Sequence, residues 1–248
     1  MSPDVDPATR PGREWSAELG ARFRRGFVLT VLMTTLLTGF FFIGYLYVQR
    51  HPASAPTVMP LTALDLLIPF QPQALLAYVS LWVYVGAGPG LQRSFAGIAV
   101  YGLWMCGLCL CGLGIFYFWP TQVPSLALDA TDFPGFAFLR RVDAASNACP
   151  SMHVAVAIFT AVRVDEVLRS TRSPLLLRLL NAAWFAVIVY STLAIKQHVV
   201  WDVAAGALLG LIFVLPSLRW RPGRESPATS AAGLGVGGTD GRPRSSPR

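Results

Sequence analysis

Between Gly26 and Val48 the chain runs for 23 residues without a charged side chain. As a helix rising 1.5 Å per residue this run reaches about 34 Å, enough to cross a hydrocarbon core of about 30 Å. Inside such a core each backbone N–H and C=O needs a partner within the chain, so a lone segment of this kind can only be helical. Further apolar runs lie near 73–88, 95–119, 152–162, 175–197 and 199–217. Together they predict an all-α, polytopic membrane protein, a six-transmembrane-helix bundle. The run at 152–162 is short, and its helix is expected to continue past Arg163 into the membrane interface.

Charge sets the expected orientation. The chain is 54% hydrophobic and 13% charged, against about 25% charged in soluble domains. A net charge of +7 would suggest nucleic acid for a soluble protein. Here the positive-inside rule accounts for it, and no nucleic-acid partner is expected. Sixteen of the 20 Lys and Arg residues fall before the first run, between the second and third, between the fourth and fifth, or after the last. Arg50, Arg140, Arg141 and Lys196 fall on the other side. Both termini are therefore expected in the cytoplasm. Residues 1–25 read as a disordered cytoplasmic tail, 26–218 as the membrane domain and 219–248 as a second disordered tail rich in Gly, Ser, Pro and Arg. RRGFVL at 24–29 resembles a twin-arginine signal, but the apolar run after it is longer than a signal core of about 7–15 residues, so an uncleaved helix is expected. Pro60–Phe70 reads as a short amphipathic piece at the interface, and 120–150 as a long connection. Three of the four cysteines sit in CGLCLC within an apolar run, with Leu and Gly neighbours that favour helix lining over a metal or redox pair.

Two stretches keep polar groups that a membrane helix would otherwise lack: NACPSMH at 147–153 and STLAIKQHVVWD at 191–202. Ionisable groups in such places are costly and mark function. The charge count brings both stretches to the same outer face. His198 and Asp202, four residues apart, share one face if a helix starts near His198. A carboxylate there can accept the Nδ1 proton and leave Nε2 free as a nucleophile. The same pair equally suits an interfacial helix cap. Ser151 and His153 follow Pro150 at an expected helix start, where free N–H groups favour a phosphate. Two imidazoles in different protonation states, one carboxylate and an anion-binding helix end point to phosphoryl transfer.

CPSMH at 149–153 resembles the P-S-G-H motif of the type-2 phosphatidic acid phosphatase superfamily, and STLAIKQHVVWD resembles its S-R-x5-H-x3-D motif. The resemblance covers about Pro60 to Gly210. It implies a six-helix membrane bundle with an outward-facing site, and a phosphohistidine mechanism without a metal or other cofactor. It further implies His198 as nucleophile, Asp202 as its orienting carboxylate, His153 as general acid and Ser151 as a phosphate ligand. Met152 and Thr192 depart from the motifs, and in both places the chain resembles the inositol phosphorylceramide synthase branch, as do PFQPQALLAYVSL at 69–81 and PTQVP at 120–124. That branch transfers a phospho-head-group to a lipid alcohol rather than to water. The K-x6-R-P motif is absent, and Ser125 stands where the branch often has arginine. Lys196, and after it Arg141, are then the cations expected to bind phosphate, although Arg140 and Arg141 equally suit anchoring at anionic head groups.

These readings predict an integral membrane lipid phosphatase or phosphotransferase. Its partners would be a phospholipid or other lipid phosphate and the bilayer. Its place would be the bacterial inner membrane, with the site facing outward. Two alternatives stand beside it: a metal-dependent membrane enzyme using His153, His198 and Asp202, and a non-catalytic relative.

Overall fold

The computed structural model describes residues 14–124, 135 and 147–220. Helix α1 (Glu14–Arg50) is followed by a two-residue strand β1 (Thr57–Val58), then by short helices α2 (Ala63–Leu67) and α3 (Leu75–Val79). Helices α4 (Leu81–Gly90) and α5 (Phe95–Phe118) lead to strand β2 (Thr121–Gln122), which pairs in parallel with β1. Three helices complete the described chain: α6 (Met152–Ser170), α7 (Leu175–Ala194) and α8 (Val200–Arg219).

Four of these, α1, α5, α7 and α8, are long and apolar enough to cross a membrane. Their outward faces remain apolar: Val28, Leu32, Leu36, Ile43 and Tyr47 on α1 and Leu208, Ile212 and Leu215 on α8 are exposed. A surface of that kind suits lipid and would be a liability in water. The architecture thus fits an all-α membrane protein.

The other two expected spans are not among these four, although α6 continues past Arg163 as expected. The apolar run at 73–88 is divided at Ser80, which separates α3 from α4. Helix α6 carries Arg163, Asp165, Glu166 and Arg169 in its C-terminal half and so falls outside the four apolar spans. Its low hydropathy matches its place at the centre of the bundle, packed by α8, α7 and α4, where small and polar side chains meet other helices. Arg163, 7% exposed, donates to Glu166, to the Ser217 carbonyl and to Gln92. These bonds pair a buried charge that would otherwise be very costly.

The first helix begins at Glu14, well before the apolar run at Gly26, so the described part of the expected tail is helix. Glu18 and Arg22 pair across one turn and support that extension. The rest of both expected tails lies outside the described residues.

Helices α6 and α8 approach closely because α8 presents Gly206 and Gly210 to α6. A Cβ at Gly206 would run into the Ser151 carbonyl, and one at Gly210 would lie 2.6 Å from the Ala155 carbonyl. Small residues four apart are a general means of bringing membrane helices together. The contact unites the N-termini of α6 and α8 at one end of the bundle, beside the C-termini of α1, α5 and α7. The opposite end carries Arg22, Arg93, Arg163, Arg169 and Arg178.

Candidate active site

Three short segments meet at the first end of the bundle. The loop before α6 is held by Thr121 of β2. The Thr121 hydroxyl accepts the Cys149 N–H at 2.8 Å, and the Thr121 carbonyl accepts the Ala148 N–H at 3.3 Å. The Cys149–Pro150 peptide is cis. Ser151 then caps α6, its hydroxyl accepting the Val154 N–H at 3.4 Å, while its own N–H donates to the Asp202 carbonyl at 2.9 Å. The sequence thus places Ser151 and Asp202 on adjoining backbones.

The second segment is the turn between α7 and α8. Helix α7 closes with the Gln197 N–H on the Thr192 carbonyl at 3.2 Å and the Lys196 N–H on the Leu193 carbonyl at 3.1 Å. This is the Schellman pattern, which needs a left-handed residue just past the helix end. Lys196 fills that position with φ 59°. The turn delivers His198 two residues before α8.

The third segment is α2. Asp65 accepts from the Thr62 N–H and hydroxyl through one oxygen, 2.7 Å in each case, and from the Val200 N–H through the other at 2.9 Å. It therefore caps two helices at once, its own and α8. The Lys196 ammonium donates to the Asp65 carbonyl at 2.7 Å and to the Ile68 carbonyl. The piece read as an interfacial amphipathic segment is a strut for the His198 turn.

His198 is 7% exposed. Its Nδ1 lies 3.1 Å from the Ala148 carbonyl and 3.6 Å from the nearer Asp202 oxygen. A carbonyl can only accept, so Nδ1 carries the proton and Nε2 holds a free lone pair. Nε2 is buried without a hydrogen-bond partner among the described residues. Asp202, fully buried, accepts the Val199 N–H at 2.9 Å through the same oxygen that faces His198. The sequence reading gave the Nδ1 proton to Asp202. The carbonyl of Ala148 holds it at the shorter distance, because the Thr121-anchored loop lies between the two helix starts.

His153 stands 5.8 Å from His198, ring centre to ring centre. It stacks on Tyr78 of α3 at 4.1 Å, and the Tyr78 hydroxyl lies 3.2 Å from its Nδ1. Both imidazoles line a cavity of about 420 Å³ with Phe41, Phe42, Tyr45, Leu75, Leu76, Val79, Trp82, Phe116, Met152 and Asn147. Met152 fills the notch left by Gly112 on α5.

The structure thus brings His153, His198, Asp202 and Ser151 together. Lys196, expected to bind phosphate, is not among the described residues lining the cavity, and its ammonium is bonded to carbonyls of α2 and the residue after it. Arg141 lies outside the described residues. No described residue lining the cavity is Lys or Arg. Thr192, at the motif arginine position, is fully buried with its hydroxyl on the Val189 carbonyl. Burial, reinforced by the Asp202 carboxylate nearby, pushes the Cys149 thiol up to about 12. It is a neutral thiol at physiological pH and no nucleophile.

Among the described residues no three or more His, Cys, Asp or Glu side chains are grouped to hold an ion. The His198 nitrogen nearest Asp202 also lies 3.1 Å from the Ala148 carbonyl. Three positioning residues had escaped the sequence reading: Asp65, Thr121 and Gly206. Only the last left a usable signal, the G-x-x-x-G spacing with Gly210.

Comparison with curated proteins and with solved structures found no match. The model of the PAP2 superfamily matches residues 116–226, the stretch that holds Ser151, His153, His198 and Asp202. Over that stretch, rather less than half of the chain, it is similar to the PAP2 superfamily.

Proposed function

We propose that the protein is an integral membrane lipid phosphatase or phosphotransferase that works through a phosphohistidine on His198. One observation carries this reading. The Nε2 of His198 is a buried lone pair without a partner among the described residues, and His198 lines a cavity shared with His153. Nε2 forms a bond to phosphorus as the bond from phosphorus to the leaving oxygen breaks. His153 gives its proton to that oxygen. The His198 ring keeps its Nδ1 proton and so becomes cationic, and the Asp202 carboxylate 3.6 Å away offsets that charge. In the second half, water or a lipid alcohol attacks phosphorus, His153 takes up its proton, and Nε2 is released. Ser151 lies at the helix start where phosphate would be held.

The cavity lining favours a lipid over a soluble phosphate ester. Its walls are mainly aromatic and aliphatic, with the two imidazoles and Asn147 among them. A lipid would leave its chains among Phe41, Leu76 and Val79. The charge distribution supports six spans, cytoplasmic termini and a site on the outer face of a bacterial inner membrane. Met152, buried in the Gly112 notch, and Thr192 support the head-group-transferring branch, with a lipid alcohol as acceptor.

The test is a lipid-phosphate panel on purified protein, following free phosphate and new phospholipids together. Turnover with loss of both signals in a folded His198→Ala variant is expected. Undiminished turnover in that variant would sink the assignment. Phosphate release alone identifies a phosphatase, and a new head-grouped lipid without phosphate identifies a transferase.

A further inference from the structure

Phosphoryl transfer needs donors on the non-bridging oxygens, where negative charge is concentrated. Of the two cations expected for this task, Lys196 is engaged with α2, and Arg141 lies outside the described residues. A different group is available. Asn147 is 4% exposed and lines the same cavity as His153 and His198. Its Nδ2 is buried without a hydrogen-bond acceptor among the described residues. An unpaired buried amide is destabilising, and that cost is removed when an acceptor enters the cavity. The backbone of Asn147 is left-handed, φ 55°, a conformation that asparagine tolerates better than most residues. The next residue supplies the carbonyl that holds His198 Nδ1. One turn of chain therefore both orients the nucleophile and carries, on the same cavity, a donor unpaired among the described residues.

We propose that Asn147 is a phosphate-binding catalytic residue whose carboxamide Nδ2 donates to a non-bridging oxygen of the phosphoryl group attacked by His198. It neither gains nor loses a proton. It stabilises the charge that grows on the equatorial oxygens, the work the missing motif arginines would otherwise do. The inference rests on the phosphoryl-transfer reading and assigns the chain's own donor within it.

Two substitutions separate this role from a structural one. Asn147→Gly keeps the left-handed backbone and deletes the carboxamide. Asn147→Asp keeps the shape and replaces the donor with a repelling oxygen. Each is purified in detergent, checked by thermal unfolding, and assayed on the lipid phosphate that the wild type turns over, with orthovanadate as the phosphate probe. Both variants are expected to lose turnover by about 10²-fold or more, as for removal of one oxyanion donor, and to bind vanadate more weakly. Turnover and vanadate inhibition like the wild type in a folded Asn147→Gly would overturn the proposal, and Asn147→Asp decides if the glycine variant does not fold. A wild type without turnover or vanadate sensitivity would instead remove the phosphoryl-transfer reading, and this inference with it.

Discussion

The Nδ1 of His198 lies 3.1 Å from the Ala148 carbonyl and 3.6 Å from Asp202. The backbone thus selects the tautomer, and the carboxylate is left with an electrostatic part. In a Ser-His-Asp triad, where the aspartate sets the tautomer, its replacement by asparagine costs about 10⁴-fold. Asp202→Asn should cost far less here, about 10–10²-fold in kcat. The new carboxamide oxygen can still accept the Val199 N–H, so the helix cap survives. A loss of four orders in steady-state assays would show that Asp202, not Ala148, governs the imidazole.

Gly206 lets the α6 and α8 backbones touch where Ser151 and Asp202 are joined. A methyl group at Gly206 meets backbone rather than a flexible side chain, so the helices must move apart. Gly206→Ala should destabilise the protein by about 1–3 kcal/mol, the usual cost of overpacking. It should also lower turnover more than a similar change remote from the site, because it moves Ser151 against His198. Thermal unfolding in detergent and turnover, measured beside Gly114→Ala in open space on α5, provide the comparison.

The elements of the site that the sequence disclosed are side chains with unusual chemistry in apolar surroundings. His153, His198, Asp202 and Ser151 were legible because ionisable and hydroxyl groups stand out in long apolar runs and because their spacing matches a helix face. The Ala148 and Thr121 contacts were not, since main-chain carbonyls carry no residue signature and the pairing joins segments far apart in sequence. Lys196 lies elsewhere than its sequence position suggests. Its proximity to His198 in sequence suggested phosphate, but its ammonium is taken up by the Asp65 and Ile68 carbonyls, contacts across about 130 residues of chain. The spans were legible where helices face lipid, as in α1 and α8. Helix α6 was harder because a central helix is shielded by its neighbours and can keep four charges in one half.

Asp65 supplies acceptors to the start of α8 and to its own helix. Its removal leaves the Val200 and Thr62 N–H groups without their caps. Loss of one such cap costs about 0.5–2 kcal/mol. Asp65→Ala should lower the melting temperature and also reduce turnover, since the His198 turn is anchored through the same contacts. Asp65→Asn, which retains carbonyl acceptance on one side, should fall between the two proteins in both measurements.

The proposed chemistry uses imidazole, carboxylate and amide groups only. Dialysis of the purified protein against a chelator should leave turnover unchanged, and orthovanadate should inhibit it. Loss of turnover on chelation with recovery on adding a divalent cation would favour metal-assisted hydrolysis.

Lys196 gives the sharpest contrast between sequence proximity and geometry. If its ammonium bound phosphate, deleting it would abolish vanadate inhibition. Instead the ammonium spans the Asp65 and Ile68 carbonyls, away from the cavity lining. Lys196→Gly removes those contacts but also relieves a left-handed residue, a strain of about 1–2 kcal/mol. The two effects oppose each other, so the melting temperature should change little. Turnover should fall less than tenfold, in line with a loss of about 1 kcal/mol of anchoring, and vanadate should still inhibit. Loss of vanadate inhibition in Lys196→Gly, with Asn147→Gly unaffected, would return the phosphate-binding role to the lysine.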